Sequence, residues 1–476
     1  MPPLRARHPP AVNQAMPSLI ERRCRWRVDE PLQHRPTMSG RAAFTIVLLI
    51  PTVTAYAGLA APARAAAPDR PTTTTQIVAT GAPPAVDTHV GTHAAAQGAS
   101  ATRAAAPLPG DEPALDAGTA ERLRTAVDFY RGVVGRGGWP TLPADAQFAP
   151  GQPTPYDKQL RERLAMTGDL PQAGSGPFDA GVEAAVRRFQ IRHGLTPTGR
   201  LGPQTRKALN VPATRRLQQL EASRARLGLL GFGFGPRYVV VNIPAAVAEA
   251  IADGKVVRRY RVIVGKTDKP SPTLVASITS VKLNPNWTVP ASIVRNEISQ
   301  KMSRDRDYLD RLHMRVFDRN NKPLDPTTID WSSESISSLT VRQEPGSWNA
   351  LGSVKIEMPN AQAVYMHDTD RRNLFEKDYR FDSHGCARVD DVRELAAWLL
   401  DDQPRWSRAS IDAGIAEGRQ QEIRLTKKVP VAWVYLTAWM DGNQTVQFRD
   451  DVYDQDAQLL AAIKEDDGFF SEASAK

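Results

Sequence analysis

AVYMHDTDRRNLFEKDYRFDSHGCARV, residues 363–389, opens on a β-prone apolar run and closes on a turn around Gly385, with one thiol and two histidines along it. Ala363–His367 reads as a strand. Asp390 reads as the N-cap of a helix whose apolar stripe is Val392, Leu395, Ala396, Leu399 and Leu400. Cys386 therefore falls in a loop between strand and helix, where helix-start amides and the dipole favour a thiolate. His367 stands 386 − 367 = 19 residues earlier, at a strand end, a rigid place to hold a base. His384 shares the tight loop and turns less easily onto its neighbour's sulfur. Gly385 permits a sharp turn whose N–H groups can converge on an oxyanion.

A thiol paired with a histidine acceptor is the equipment of nucleophilic catalysis. The bland alternatives are an inert buried cysteine and satisfied core histidines. A zinc site built from His367, His384 and Cys386 has three ligand types, but its His-x-Cys spacing fits no familiar site. A papain-like peptidase places its cysteine before its histidine, the reverse of this order.

The chain has 476 residues, 41% hydrophobic and 24% charged, which describes ordinary globular material in more than one domain. Its net charge of +9 fits a polyanionic partner such as cell wall or anionic lipid. No basic helix, zinc-finger spacing or aromatic-basic motif accompanies that charge, so nucleic acid is not an expected partner. Residues 41–65, RAAFTIVLLIPTVTAYAGLAAPARA, follow the charged, apolar, small-residue order of an export signal. An uncleaved membrane anchor is the competing reading. Met38 makes a good start, so residues 1–37 read as an upstream extension and 38–65 as signal or anchor. Of the two cysteines, Cys24 lies in that extension, which leaves Cys386 as the lone thiol of an exported protein. In an oxidising compartment a lone thiol points to reactivity.

Residues 66–115, rich in Ala, Pro and Thr, read as a disordered tether. Residues 116–154 read as a helical scaffold segment starting with Leu123, Val127 and Tyr130. In 155–212 three short helices are expected: one capped by Asp157, one from Phe178-Asp179 to Gly194, and one opened by Pro203. From Arg237 the β-branched runs RYVVVNI, KVVRRYRVIVG and LVASITSVKLN signal a mainly β domain over 237–425. The alanine-rich NIPAAVAEAIADGK leaves its local hairpin in question. Residues 303–350, polar and weakly periodic, read as a mobile lid inserted in that domain. Residues 426–476 read as a further strand past Pro430 and a tail. The fold class is thus α+β and multidomain.

Two resemblances sharpen this. FDAGVEAAVRRFQIRHGLTPTGRLGPQTRKALN, Phe178–Asn210, resembles the small peptidoglycan-binding module found beside wall enzymes. The stretch 363–389, with VIVGKTDKPSPT, LNPNWTVP and ALGSVKIEMPN, resembles the L,D-transpeptidases over roughly Arg237–Gln458, most closely their large periplasmic members. The resemblance implies Cys386 as nucleophile, His367 as base, His384 and Gly385 shaping the oxyanion site, and Arg388 and Tyr365 as substrate-binding positions, with a loop-scaffold role as the alternative for Arg388. It implies peptidoglycan stem peptides as substrate, 3–3 cross-links as product, acylation by carbapenem-type β-lactams, other wall-synthesis enzymes as partners, a periplasmic location, and no metal or cofactor. Hydrolysis of the thioester, transfer to a lipoprotein lysine, and a non-enzymatic wall-binding role are the rival readings.

Overall fold

The structure, a computed structural model, describes residues 110–463. The expected extension 1–37, the export segment 38–65 and nearly all of the tether lie outside the described residues. Among the described residues no helix is long and apolar enough to cross a membrane.

Helix α1 (Thr119–Gly135) buries Leu123, Val127, Tyr130 and Val133. The short helices α2 (Asp157–Met166), α3 (Ala180–Arg192) and α4 (Pro203–Leu209) close over Leu160, Leu164, Val182, Val186, Phe189 and Leu209. Asp179 caps α3 by accepting from the Val182 N–H at 2.9 Å. Asp157 is not the cap of α2. It sits within the first turn and accepts from the Thr154 N–H at 2.6 Å, leaving Tyr156 at the cap position without a side-chain bond. A long helix, α5 (Ala213–Leu229), was not expected. Its buried face includes Arg216, Gln219 and Ser223, so apolar periodicity does not reveal it.

Nine strands form the main sheet. They are β1 (Arg237–Asn242), β2 (Val247–Ala252), β3 (Lys255–Gly265), β4 (Leu274–Leu283), β9 (Val354–Glu357), β10 (Met366–His367), β11 (Phe381–Ser383), β12 (Ala387–Val389) and β13 (Gln421–Val434). Their order is β11-β3-β12-β10-β9-β4-β13-β1-β2, and β2 also pairs with β3, so the strands close into a ring. Strands β1 and β2 do form a hairpin through the alanine-rich stretch. Ala248 and Ala250 are fully buried there, and small side chains suit that crowded corner. One face of the sheet packs Val262, Val264, Val281, Ile356, Met366, Ala387 and Trp433 against helix α6 (Val392–Leu399), with α7 (Arg408–Ala416) beside it.

Strand β13 pairs with β4 on one side and β1 on the other, so it is central to the sheet and runs across the expected domain boundary at 425/426. Pro430 lies inside it, beyond a register shift between Arg424 and Val429 that breaks the strand's regularity. The chain then returns as a hairpin, β14 (Ala438–Met440) and β15 (Val446–Phe448), whose Ala438, Met440 and Phe448 pack on α1 and α5.

Between β4 and β9 the chain builds a separate small unit. It holds four strands in the order β5-β8-β6-β7, namely Trp287–Thr288, Thr340–Gln343, Met314–Phe317 and Pro323–Leu324. Its core includes Ile293, Ile298, Leu309, Val316, Trp331 and Val341. The insertion therefore begins near Trp287, before residue 303, and has its own hydrophobic centre. Its strands are too short to announce themselves by alternation.

Candidate active site

The site is set by the parallel pairing of β10 with β12, which matches Met366 to Ala387 and His367 to Arg388. Met366 and Ala387 face the core and are fully buried. Side chains alternate along a strand, so His367 and Arg388 lie together on the opposite face. Lys355 of β9 is matched to His367 on the other side. Cys386 immediately precedes β12 and is half-buried, and the Ala387 N–H donates to the Tyr365 carbonyl at 3.1 Å. Tyr365 stacks edge-on to His367 with ring centres 5.5 Å apart, and Lys355 Nζ sits 4.0 Å from the Tyr365 ring centre. The chain thus gathers Cys386, His367, Tyr365, Arg388 and Lys355 at one spot.

The two chemical groups are both uncharged at neutral pH. Burial pushes the Cys386 thiol up from its ordinary value, while the Tyr365 backbone N–H, Lys355, the Tyr365 hydroxyl and Arg388 pull against it. The expected helix-start effect on the thiol is absent, because β12 intervenes before α6 begins. Nor is Asp390 the cap of α6. Its carboxylate accepts from Arg261 at 2.7 and 2.9 Å, and Asp391, with a φ of 50°, takes the cap position. Burial, with Arg388 and Lys355 nearby, drives His367 down to about 3. His367 Nδ1 lies 2.5 Å from the Asp368 carbonyl, a bond that Nδ1–H must donate. That tautomer leaves Nε2 as the acceptor. Among the described residues no hydrogen bond joins the Cys386 sulfur to the His367 ring, a common looseness in sites without substrate.

Asp368 is itself locked. Its carboxylate accepts from the Ser353 N–H (2.9 Å) and hydroxyl (2.6 Å) and pairs with Arg372 (2.9 Å). Gly352 allows this approach, since a Cβ there would come within 2.5 Å of the Asp368 carboxyl carbon. The Tyr365 hydroxyl, its pKa raised by burial and the neighbouring thiol, also interacts with the Trp287 indole of the insertion. Nη1 of Arg388 is buried and unpaired.

Gly385, with a φ of 114°, needs the freedom of glycine to make the turn before Cys386. Its N–H donates to Ser383 Oγ at 3.1 Å, and that hydroxyl donates to the Cys386 carbonyl at 2.5 Å. His384 turns outward, its Nε2 lying 2.7 Å from Glu297 Oε1 in the π-helical turn Val294–Ile298. Lys269 reaches the same oxygen at 2.9 Å. Burial alone would raise Glu297, yet these two partners bring it down to about 2. Among the described residues no three His, Cys, Asp or Glu side chains are arranged to hold a metal ion.

Sequence reading alone missed Asp368, Ser353, Lys355, Trp287 and Glu297. Asp368, next to His367, was open to inspection, and Trp287 lies within the LNPNWTVP stretch that carries the resemblance; Glu297 has no local signal and becomes visible only through its contacts with His384 and Lys269.

Residues 236–418 match the family described as the L,D-transpeptidase catalytic domain, and residues 156–209 match the putative peptidoglycan binding domain. A putative L,D-transpeptidase of Haemophilus influenzae is 32% identical over 230 residues, covering 48% of this chain and 46% of that one. The chain thus spans under half the length of that relative. Among solved structures, an L,D-transpeptidase from Stackebrandtia nassauensis is 14% identical, with 62% of this chain and 96% of that one covered and a TM-score of 0.23. One from Xylanimonas cellulosilytica is 15% identical, with coverage of 62% and 100% and a TM-score of 0.21. Residues 236–418 of this chain thus carry the likeness to the L,D-transpeptidase catalytic domain, and residues 156–209 the likeness to the peptidoglycan-binding domain.

Proposed function

We propose that this protein is a peptidoglycan L,D-transpeptidase acting through a thioester on Cys386. The observation that carries the reading is the pairing of β10 with β12, which brings a neutral, Nε2-accepting His367 alongside the segment that presents the thiol. Cys386 Sγ attacks the carbonyl carbon of the L,D amide in a tetrapeptide stem. The S–C bond forms as the thiol proton passes to His367 Nε2. Collapse breaks the C–N bond, and the departing D-alanine amine takes that proton. A side-chain amine of a second stem then attacks the thioester. A new C–N bond replaces C–S, and the sulfur regains a proton through His367.

Lys355 and Arg388 favour the thiolate that forms on the way, and the Tyr365 hydroxyl supports it by hydrogen bonding. The buried, unpaired Nη1 of Arg388 suits a stem carboxylate. We assign the oxyanion to the Cys386 N–H, since Ser383 Oγ holds the Gly385 N–H, and to His384 the task of holding that turn through Glu297. General-base help of this kind is worth ~10²–10⁴-fold and an oxyanion donor ~10²–10³-fold. The helical module brings the domain to the wall, the insertion acts as a lid over the stem, and the site works in the periplasm behind a signal or anchor at 38–65. Carbapenems, which the family resemblance implies as acylating agents, then serve as probes of Cys386. Mass analysis of muropeptides after incubating purified chain with tetrapeptide-rich wall tests the reaction. New 3–3 dimers are expected, and tripeptides alone would instead identify a carboxypeptidase.

A further inference from the structure

Four arginines are buried where the helical module meets the C-terminal hairpin. Arg163, Arg192, Arg216 and Arg449 are each at most 5% exposed. Asp169, equally buried, answers Arg192 with contacts of 2.6 and 2.5 Å. Arg163 is satisfied by the Leu209 carbonyl, Thr167 and the face of Trp139. Arg216 and Arg449 have no such answer. Arg216 donates to Gln219 Oε1 at 2.8 Å and the Ala208 carbonyl at 3.2 Å, and Arg449 to the carbonyls of Arg192 at 3.2 Å and Phe448 at 2.5 Å. Their remaining neighbours include aromatic faces, Phe448 at 4.7 Å and Trp439 at 5.0 Å. The Nε of each is buried with no hydrogen-bond partner. Asp450 contributes an attractive field to both, but among the described residues no ion pair joins it to either.

These two side chains line one cavity with His193, Lys207, Pro244 and Asp450, of about 40 Å³. A water needs roughly 10–15 Å³ on that measure, so the space suits a carboxylate-sized group or a few waters, and not a peptide. Waters would satisfy the N–H groups, and only the fields of Asp450 and, at Arg449, of buried Glu249 would then answer the charges, neither through an ion pair. Burying a guanidinium without a counter-charge is strongly unfavourable, and burial brings Arg216 down to about 10 and Arg449 to about 9. His193 adds no charge, since burial, Arg192 and Arg216 hold it neutral.

We infer that this cavity binds one small oxyanion, a carboxylate or phosphate group, which accepts from the guanidinium groups of Arg216 and Arg449 and fastens helix α5 to the segment that follows the C-terminal hairpin. The site is independent of the Cys386 chemistry, so the reaction could fail as a reading and this site still stand.

The test is thermal unfolding of the full chain in sodium acetate, sodium phosphate and sodium chloride at equal ionic strength. A saturable rise of roughly 2–5 °C is expected with an oxyanion over chloride, and its loss in Arg216→Gln and in Arg449→Gln. A soluble disaccharide-tripeptide acting at concentrations where acetate does not would identify the wall as the source; a response to the simple ions alone would identify a free anion. Should the variants not fold, selenate soaked into crystals of the unaltered protein should give an anomalous peak between the two guanidinium groups. Equal stabilisation by chloride, an undiminished response in a folded variant, or no peak at saturating selenate would overturn the inference.

Discussion

Nε2 of His384 and Oε1 of Glu297 lie 2.7 Å apart, so the loop presenting Cys386 is fastened to the insertion that overlies the sheet. Lys269 joins the same carboxylate from the β3–β4 connection. One residue of a π-helical turn thus holds two loops of the site. Such turns recur at functional positions because they break the regular helix ladder.

Glu297→Gln removes the charge that binds both loops. Faster amide exchange in residues 266–272 and 383–386 is expected, with carbapenem acylation slowed roughly 10-fold. His367→Ala should cost more, ~10²–10⁴-fold, because it removes the proton acceptor itself. Unchanged exchange in both loops of Glu297→Gln would show that the contact does not hold them.

Tyr365→Phe deletes a hydroxyl that favours the thiolate. A hydrogen bond to a charged group is worth about 1.5–3 kcal/mol, and one pKa unit is about 1.4 kcal/mol. The pH midpoint for alkylation of Cys386 should therefore move up by about 1–2 units. Trp287→Phe, which acts on Cys386 only through that hydroxyl, should move it less. A midpoint unmoved in Tyr365→Phe would remove Tyr365 from the mechanism.

His367 stays uncharged in the fold down to about pH 3, whereas its ordinary value is 6.5. Between those values the native state binds fewer protons than the unfolded chain. The stability tied to the neutral ring is complete above pH 6.5 and is lost as pH falls from there toward 3. Buried His193 acts in the same direction, so the informative quantity is the difference between proteins. Urea midpoints from pH 7.5 to 4 should fall more steeply for the unaltered protein than for His367→Gln. Equal slopes would mean that the ring titrates normally.

The sheet's strands were legible because β-branched runs and a glycine turn act locally, and the strand that ends at His367 does pair with the one that follows Cys386. Met366 and Ala387 alternate with His367 and Arg388 as strand periodicity requires. Other features depended on tertiary context. The helix-start argument for the thiolate failed because β12 and two further residues separate Cys386 from α6. Asp390 looked like a cap, but Arg261 claims its carboxylate. Pro430 looked like a strand boundary and lies inside β13, in register with Ser277 of β4. Helix α5 escaped notice because it buries Arg216 and Gln219, side chains that sequence patterning assigns to solvent.

Asp169→Asn breaks the doubly bonded pair with Arg192 and leaves a buried guanidinium unanswered. Removing one partner of such a pair costs about 3–5 kcal/mol. Urea unfolding of the full chain should show a loss of that size in the transition that reports the helical module. A loss below about 1 kcal/mol would mean that water reaches Arg192 freely.

Intact-mass analysis after carbapenem treatment tests the central claim most directly. One adduct per chain is predicted, mapped by peptide digestion to Cys386, absent from Cys386→Ala and formed far more slowly in His367→Ala. An adduct on another residue, or a Cys386→Ala protein that still produces 3–3 dimers from wall material, would contradict the thioester mechanism.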